Sequence, residues 1–384
     1  MDAASRSHLS EEQDLAPKVI AWESTRACNF SCVHCRAKAQ RLPDPKQLTT
    51  QEALVLMNQI AEFCKPILII SGGDPLLRKD VFEIASHASS LGIKVVMSPS
   101  GSDITPEVTN KIKASGIKMI SISLDGSRPE IHDSFRQVPG AFNMALKSLR
   151  NARRDELPFK INTTVTRHNL GDLSNILKLA AKLGATAWDV FMLVPTGRGK
   201  VEMEITPEQY EETLHLIYTS NLASPIPIKM TCSPHYNRVV VQRERESKNE
   251  HSHAMESKQG PPSSVENSHP PSHASSQMRG RGCMAGNGFC FISHVGDVFG
   301  CGFLPVPAGN VLQRDFKQIY QESPLFIELR NYNLLRGKCG MCEYKTICGG
   351  CRARAFSYTG SYLEEEPYCV YAPIRSDSCH SVES

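Results

Sequence analysis

The sequence has no apolar run long enough to cross a bilayer, which takes roughly 18–20 consecutive apolar residues as a helix. No membrane span is therefore expected. It also lacks a marked excess of either charge: 43 basic and 40 acidic residues leave a net +3. Such balance gives no field to attract a polyanion, so no nucleic-acid partner is expected. The stretch from Met1 to Pro17 is polar and acidic, without the cationic and apolar halves of a signal peptide or the arginine-rich bias of a transit peptide. A cytoplasmic enzyme, monomeric by default, is the resulting expectation. What the sequence has in quantity is cysteine, 14 in all. Cytosolic thiols stay reduced, and eleven of these 14 fall into three compact clusters. That pattern points to metal binding rather than to disulfides.

From Val19 to Leu193, short apolar runs alternate with helix-length amphipathic segments. The runs are Val19–Trp22, Ile67–Ile70, Lys94–Met97, Met119–Leu124, Lys160–Thr166 and Ala187–Val194. Runs of this length, bounded by Gly and Pro, read as buried parallel strands. Thr49 and Glu52 form a capping box, Thr105 precedes Pro106 as an N-cap, and Gly92, Gly116 and Gly184 stand where helices would end. Six alternations predict a parallel sheet flanked by helices, either an open α/β sheet or a partial (β/α)6 barrel. A further helix is expected from Thr206–Pro207 to about Ser220.

The expected organisation is a flexible N-terminus (1–17), a first domain (18–225) and a connecting segment (226–244). A disordered linker (245–280), a cysteine-rich second domain (281–373) and a flexible tail (374–384) follow. The linker is rich in Ser, His, Pro and Asn and has almost nothing to bury. Its His251, His253, His269 and His273 fit a solvated linker better than a metal site.

Cys28, Cys32 and Cys35 form CxxxCxxC directly after the first strand. Active-site residues of α/β barrels collect at that end. Three thiolates so close together can hold a [4Fe–4S] cluster and leave the fourth iron open. A zinc site is the competing reading, but CxxC pairs suit tetrahedral zinc better than this spacing.

On these residues the chain resembles the radical S-adenosylmethionine (SAM) superfamily. The resemblance implies a partial (β/α)6 TIM-like barrel, with Cys28, Cys32 and Cys35 as cluster ligands and the open iron chelating SAM. His34 stands where the family usually has an aromatic residue near adenine. Gly72-Gly73-Asp74-Pro75 is similar to the family's GGEP motif, whose backbone receives the SAM amino group. By the same resemblance, Ser98, Ser100, Ser123 and Asp125, with Asn162 and Thr164, would hold the SAM ribose and carboxylate from the other strand ends.

The later cysteines are Cys283, Cys290, Cys301, Cys339, Cys342, Cys348, Cys351 and Cys369, enough for two cubanes at four each. With Gly296 before Cys301, they resemble the SPASM extension of radical SAM enzymes. That resemblance implies one auxiliary [4Fe–4S] cluster on Cys283, Cys290, Cys301 and Cys351, and another on Cys339, Cys342, Cys348 and Cys369. Only Gly349 and Gly350 separate Cys348 from Cys351, where the usual gap is three, so either one or two auxiliary clusters are expected. Structural zinc is again the alternative. Cys64 reads as core, and Cys232 and Cys379 have no assigned partner.

Further stretches resemble the haem synthases of the sirohaem-derived pathway, among them HDSFRQVPGAF, VFMLVPTGRGK, GKCGMCEYKTICGGCRARAF and EEEPYCVY. The resemblance implies an iron-porphyrin substrate, iron-coproporphyrin III. Two of its propionates would be oxidised to vinyl groups with loss of CO2, giving haem b. A low-potential donor such as ferredoxin or flavodoxin and an electron acceptor are implied as partners. An acetate-removing sister enzyme and SPASM peptide maturases share the cysteine pattern. A cluster scaffold or electron carrier would not need Gly72–Pro75. Arg167, Arg198 and Lys200 follow strands five and six and are candidates for the substrate carboxylates, with Arg352 and Arg354 near the auxiliary cysteines. His168, His235 and His294 are candidate axial ligands to the substrate iron.

Overall fold

Each of the six apolar runs forms a strand: β1 (Val19–Glu23), β2 (Ile67–Ser71), β3 (Lys94–Met97), β4 (Ile120–Ser123), β5 (Phe159–Val165) and β6 (Trp188–Met192). The computed structural model describes residues 15–101, 103–256 and 282–374. Between the strands lie α1 (Thr50–Phe63), α2 (Val81–Ser90), α3 (Pro106–Ala114), α4 (Pro129–Arg136), α5 (Ala141–Arg154) and α6 (Leu173–Leu183). The Thr49–Glu52 capping box starts α1, and Thr105 caps α3.

Four more strands join the same sheet: β7 (Ile228–Thr231), β8 (Phe289–Ile292), β9 (Asp297–Phe299) and β10 (Pro307–Asn310). The order is β10-β9-β8-β1-β2-β3-β4-β5-β6-β7. All neighbours from β1 to β7 are parallel. Sequence order and spatial order therefore agree without the single reversal of a doubly wound sheet. Right-handed crossovers between such neighbours put every helix on one face. This resolves the choice left open by counting: the sheet is the partial barrel, with helices outside.

Burial follows the same division. Trp22, Ile70, Met97, Ile122, Ile161 and Val190 are all at most 1% exposed and face the helices. Ser71, Ser98, Ser123, Asn162 and Asp189 point to the other face, where they are half-buried. The helix-free face is thus polar and accessible, as a binding surface must be.

The C-terminal domain is stitched to this barrel, because β8 pairs in parallel with β1 from Val19↔Phe289 to Trp22↔Ile292. Beyond β6 come α7 (Pro207–Ala223) and α8 (His235–Glu256). Two features differ from the sequence expectation. β7 adds a parallel strand inside the stretch expected only to connect, and α8 continues into the expected linker as far as Glu256. Arg, Glu, Lys and Gln make up nine of the 22 residues of α8, poor core formers but good helix formers. The C-terminal helices are α9 (Phe316–Glu322), α10 (Pro324–Arg330), α11 (Gly337–Met341) and α12 (Arg352–Thr359). Residues 1–14 of the expected N-terminal tail, 257–280 of the linker with His269 and His273, and 375–384 of the tail with Cys379 lie outside the described residues. Among the described residues, no helix is long and apolar enough to cross a membrane.

Candidate active site

The loop after β1 carries Cys28, Cys32 and Cys35, and the ends of other strands clamp it. The Cys28 N–H donates to Gln40 O (2.8 Å), and those of Gly73 and Asp74 donate to Thr25 O and Ala27 O (both 2.7 Å). A Cβ on Gly73 would lie 2.4 Å from Ala27 O, and one on Gly72 2.5 Å from Thr25 O. The glycines are needed because two backbones touch here. Gly197, at φ +69°, presses equally hard on the far side, where its Cβ would meet Arg36 O at 2.2 Å. Its neighbour Arg198 donates from its backbone to Cys35 O and from Nε to Cys32 O (both 2.9 Å), and from Nη1 to Ala39 O (3.1 Å). Arg198, a candidate for a substrate carboxylate, thus holds the cysteine loop through three donors, while its Nη2 is buried without a partner.

Each of the three sulfurs accepts a hydrogen bond. Phe30 N–H reaches Cys28 Sγ (3.3 Å), Ala39 N–H reaches Cys35 Sγ (3.4 Å) and Arg136 Nη1 reaches Cys32 Sγ (3.6 Å). Burial, only partly offset by the Phe30 N–H, pushes the Cys28 thiol up to about 11. A metal that displaces its proton would relieve that. Thirteen cysteines are free among the described residues. No three His, Cys, Asp or Glu side chains there converge on a point as one ion requires.

Arg136 was not singled out from the sequence. It ends α4, is 7% exposed and is ion-paired with Asp125, which is 0% exposed. Burial alone would lower Arg136, but the adjacent Asp125 carboxylate more than offsets this and keeps it charged. Burial pushes Asp125 up, against the pull of Arg136 and the Thr164 N–H at 2.8 Å. Asp125, expected from the resemblance to touch SAM, anchors the arginine that reaches Cys32. Arg136→Gln should destabilise the fold by about 3–5 kcal/mol, because a buried carboxylate loses its cation. The loss should be smallest near pH 4 and grow as pH rises, since protonating Asp125 removes the unpaired charge. Thermal denaturation of this variant and of Arg136→Gln/Asp125→Asn measures it, and the double variant should recover part of the loss at pH 7.

His34 stacks on Phe135 at 4.2 Å and 17°, and Phe135 is parallel to His168 at 5.9 Å. Burial, then Arg136 and Arg198, lower the His34 pKa well below its usual value, so the ring is neutral and flat. Asp74 is fully buried and accepts from Ser100 Oγ (2.5 Å) and Leu76 N–H (3.1 Å), while Pro75 starts a single 3-10 turn. Ser98, Ser123, Asn162 and Thr164 line the helix-free face. Asn162 Oδ1 is buried there without a partner. Arg167 spends Nε on Glu204 O (2.5 Å) and is exposed, as is Lys200.

The C-terminal cysteines form two groups, with one exchange relative to expectation. Cys283, Cys301 and Cys351 share an apolar cluster with Cys232, not with Cys290. Cys290 pairs with Ile20 and so faces the helices; it is 0% exposed within the main core. Its titratable neighbours are Cys64 and Arg330, whereas Cys232 has Cys351, Cys301 and Cys283 around it, with Arg354. The second group, Cys339, Cys342, Cys348 and Cys369, lines one cavity. The groups touch through Cys283 N–H to Cys348 O (3.1 Å).

Most of the remaining candidates are already engaged within the protein. Arg354 is 0% exposed, ion-paired with Glu204 (3.2 Å) and Glu366 (3.5 Å). Arg352 donates to Tyr362 O (2.9 Å), Glu364 O (2.7 Å) and Cys339 Sγ (3.5 Å). His294 bridges Glu23 (2.9 Å) and Asp44 (3.1 Å), so it is not an open axial ligand. Glu23 also pairs with Arg36 (2.7 Å), which reaches Gly302 O (3.4 Å) beside Cys301. His168 Nε2 is bonded to Ser134 Oγ (2.9 Å), and His235 is 1% exposed beside the second cysteine group.

Residues 22–180 match the model of the radical SAM superfamily, and 283–352 that of an iron–sulfur cluster-binding domain, SPASM. The chain is 45% identical to the AdoMet-dependent heme synthase of Methanosarcina barkeri over 93% of its own length and 97% of that protein. It is 42% identical to the AdoMet-dependent heme synthase of Nitratidesulfovibrio vulgaris, covering 94% of each. Among solved structures, SuiB of Streptococcus suis bound to S-adenosylmethionine superposes with a TM-score of 0.69 at 14% identity, over 96% of this chain and 81% of that one.

Proposed function

The chain belongs to the radical SAM superfamily, in the family of the AdoMet-dependent heme synthases with their C-terminal SPASM domain, and on that footing we propose its reaction and the residues that serve it. It is a radical SAM oxidoreductase and haem synthase; its cofactors are SAM, a [4Fe–4S] cluster and auxiliary iron–sulfur clusters, and its substrate is a porphyrin. The substrate read here is iron-coproporphyrin III, with two propionates decarboxylated oxidatively to the vinyl groups of haem b. The observation that carries the reading is a hydrogen-bonded three-cysteine loop at the C-terminal end of β1, beside a polar, helix-free sheet face, in a chain that matches haem synthases along its length.

Cys28, Cys32 and Cys35 would hold the SAM-cleaving cluster. When bound, cluster and SAM supply a 5′-deoxyadenosyl radical, which removes hydrogen from an unactivated carbon where general acid–base chemistry has no acidic proton to work on. The chain's own part is orientation. Gly72 and Gly73 keep the cysteine loop within reach of the strand ends. His34, held neutral and stacked on Phe135, offers a flat face to adenine. Ser98, Ser123 and Thr164 offer polar groups from the inner face, and Asn162 Oδ1 is a buried acceptor without a partner. Arg167 and Lys200, exposed beyond β5 and β6, are the cations for propionates. Cys232 with Cys283, Cys301 and Cys351, and Cys339 with Cys342, Cys348 and Cys369, are the auxiliary ligand sets. A ferredoxin or flavodoxin is the proposed donor, with a separate electron acceptor.

Anaerobically reconstituted protein, given SAM, reductant and iron-coproporphyrin III, should yield haem b. Mass spectrometry should find the loss of two CO2 and four hydrogens per porphyrin. Methionine release from SAM with all four propionates intact would refute the substrate while leaving the radical chemistry standing.

A further inference from the structure

The cavity ringed by Cys339, Cys342, Cys348 and Cys369 has two buried donors on its wall with nothing to bond. His235 opens α8 and is 1% exposed, and neither ring nitrogen makes a hydrogen bond among the described residues. Its closest carboxylate oxygen, Glu366 Oε2, is 4.0 Å from Nε2. Arg238, one turn later and 3% exposed, gives Nη2 to Glu211 (2.8 Å) and Nη1 to Gln242 (2.7 Å). Its Nε is buried without an acceptor. Buried donors are almost always paired, and leaving them unpaired is costly. Two of them beside one cavity point to a group rich in acceptors. A cubane on the four cysteines presents thiolate and sulfide sulfurs on all sides.

We propose that His235 and Arg238 donate hydrogen bonds to the sulfurs of an iron–sulfur cluster held by Cys339, Cys342, Cys348 and Cys369, making it the more easily reduced of the auxiliary clusters. The contrast with the other quartet supports this. Cys232, Cys283, Cys301 and Cys351 sit among Val194, Leu304, Leu325 and Leu329 with Arg354 and Arg36 nearby, and among the described residues only Cys301 Sγ accepts hydrogen bonds there, from the Phe303 N–H (3.4 Å) and Leu304 N–H, with no buried imidazole or guanidinium donor left unpaired beside it as His235 is. Around the second quartet, Cys339 Sγ already accepts from Glu366 N–H (3.4 Å) and Arg352 Nη2 (3.5 Å), and Cys348 Sγ from Gly350 N–H (3.5 Å). Added donors and a nearby cation stabilise the reduced cluster, which carries one more negative charge.

The proposal rests on reading that quartet as a cluster site, and its test separates the two. Reconstituted full-length wild type, His235→Leu and His235→Gln are titrated with reductant and followed by electron paramagnetic resonance, with iron counted in each. His235→Leu should keep its iron and lower the reduction constant of one auxiliary signal about tenfold, which is 59 mV for one electron. His235→Gln, which retains an N–H, should stay within about threefold of wild type, and Arg238→Gln should move the same signal as His235→Leu. Full iron with both auxiliary midpoints unmoved in the leucine and Arg238 variants overturns the proposal. If His235→Leu sheds iron, His235→Gln decides: iron kept with a near-native midpoint supports the donor role, and iron lost makes the imidazole a ligand and overturns it. A Cys342→Ala/Cys348→Ala chain that loses no iron removes the cluster reading and this proposal together.

Discussion

Replacing Cys28, Cys32 and Cys35 by alanine should abolish methionine release from SAM while the protein stays folded and keeps the iron of its C-terminal cysteines. The three cysteines sit on a loop outside the sheet. The loop is fixed by backbone contacts from Gly73, Gly197 and Arg198 that do not use the sulfurs. The sheet and its helix-side core do not depend on them either, since Trp22, Ile70 and Met97 pack away from the loop's thiols. Iron counting should show a loss of about four irons per chain, and methionine assay should fall to the no-enzyme background. Methionine formation that survives the triple change would exclude these residues as the SAM-cleaving site.

The reciprocal change is as large in its own readout. Cys232→Ala/Cys301→Ala should shed about four irons yet still release methionine from SAM, and haem formation should collapse. Each propionate oxidation leaves one surplus electron, and this chain has lost one of its candidate acceptors. Cys290→Ala is the internal control. It sits in the main core with Ile20 and Cys64 as neighbours, so its iron content should equal wild type. Iron lost from Cys290→Ala and kept by Cys232→Ala/Cys301→Ala would restore the ligand set first expected from the spacing.

Why the surroundings of Cys28 were legible in the sequence and those of Cys290 were not is a matter of range. The CxxxCxxC spacing acts within one loop, so its geometry is legible locally. Whether Cys290 can bind a cluster depends on which face of β8 it occupies, and that is fixed by its register with Ile20, far away in the chain. Cys232 has no cysteine near it in sequence and meets its group only because β7 joins the sheet edge. Arg198 shows a second limit: its position after β6 was readable, but the three carbonyls that its backbone N–H, Nε and Nη1 reach belong to the Cys32–Ala39 loop. Arg136 gave no local signal, being a charged residue on a short helix that the fold happens to bury. The strand runs were legible because each is apolar and bounded by turns. β7 was not, because Lys229 splits its two apolar residues and leaves no continuous apolar run.

The pairing of β1 with β8 has a consequence for how the chain is made. β1 leaves the ribosome well before β8, and one of its hydrogen-bonding edges finds its partner only when Phe289–Ile292 has been synthesised. Through the whole of barrel synthesis, that edge stays open, and an unpaired edge is a template for strands of other chains. A nascent chain stalled before Phe289 is thus a barrel with an exposed seam, and completing the C-terminal domain closes it.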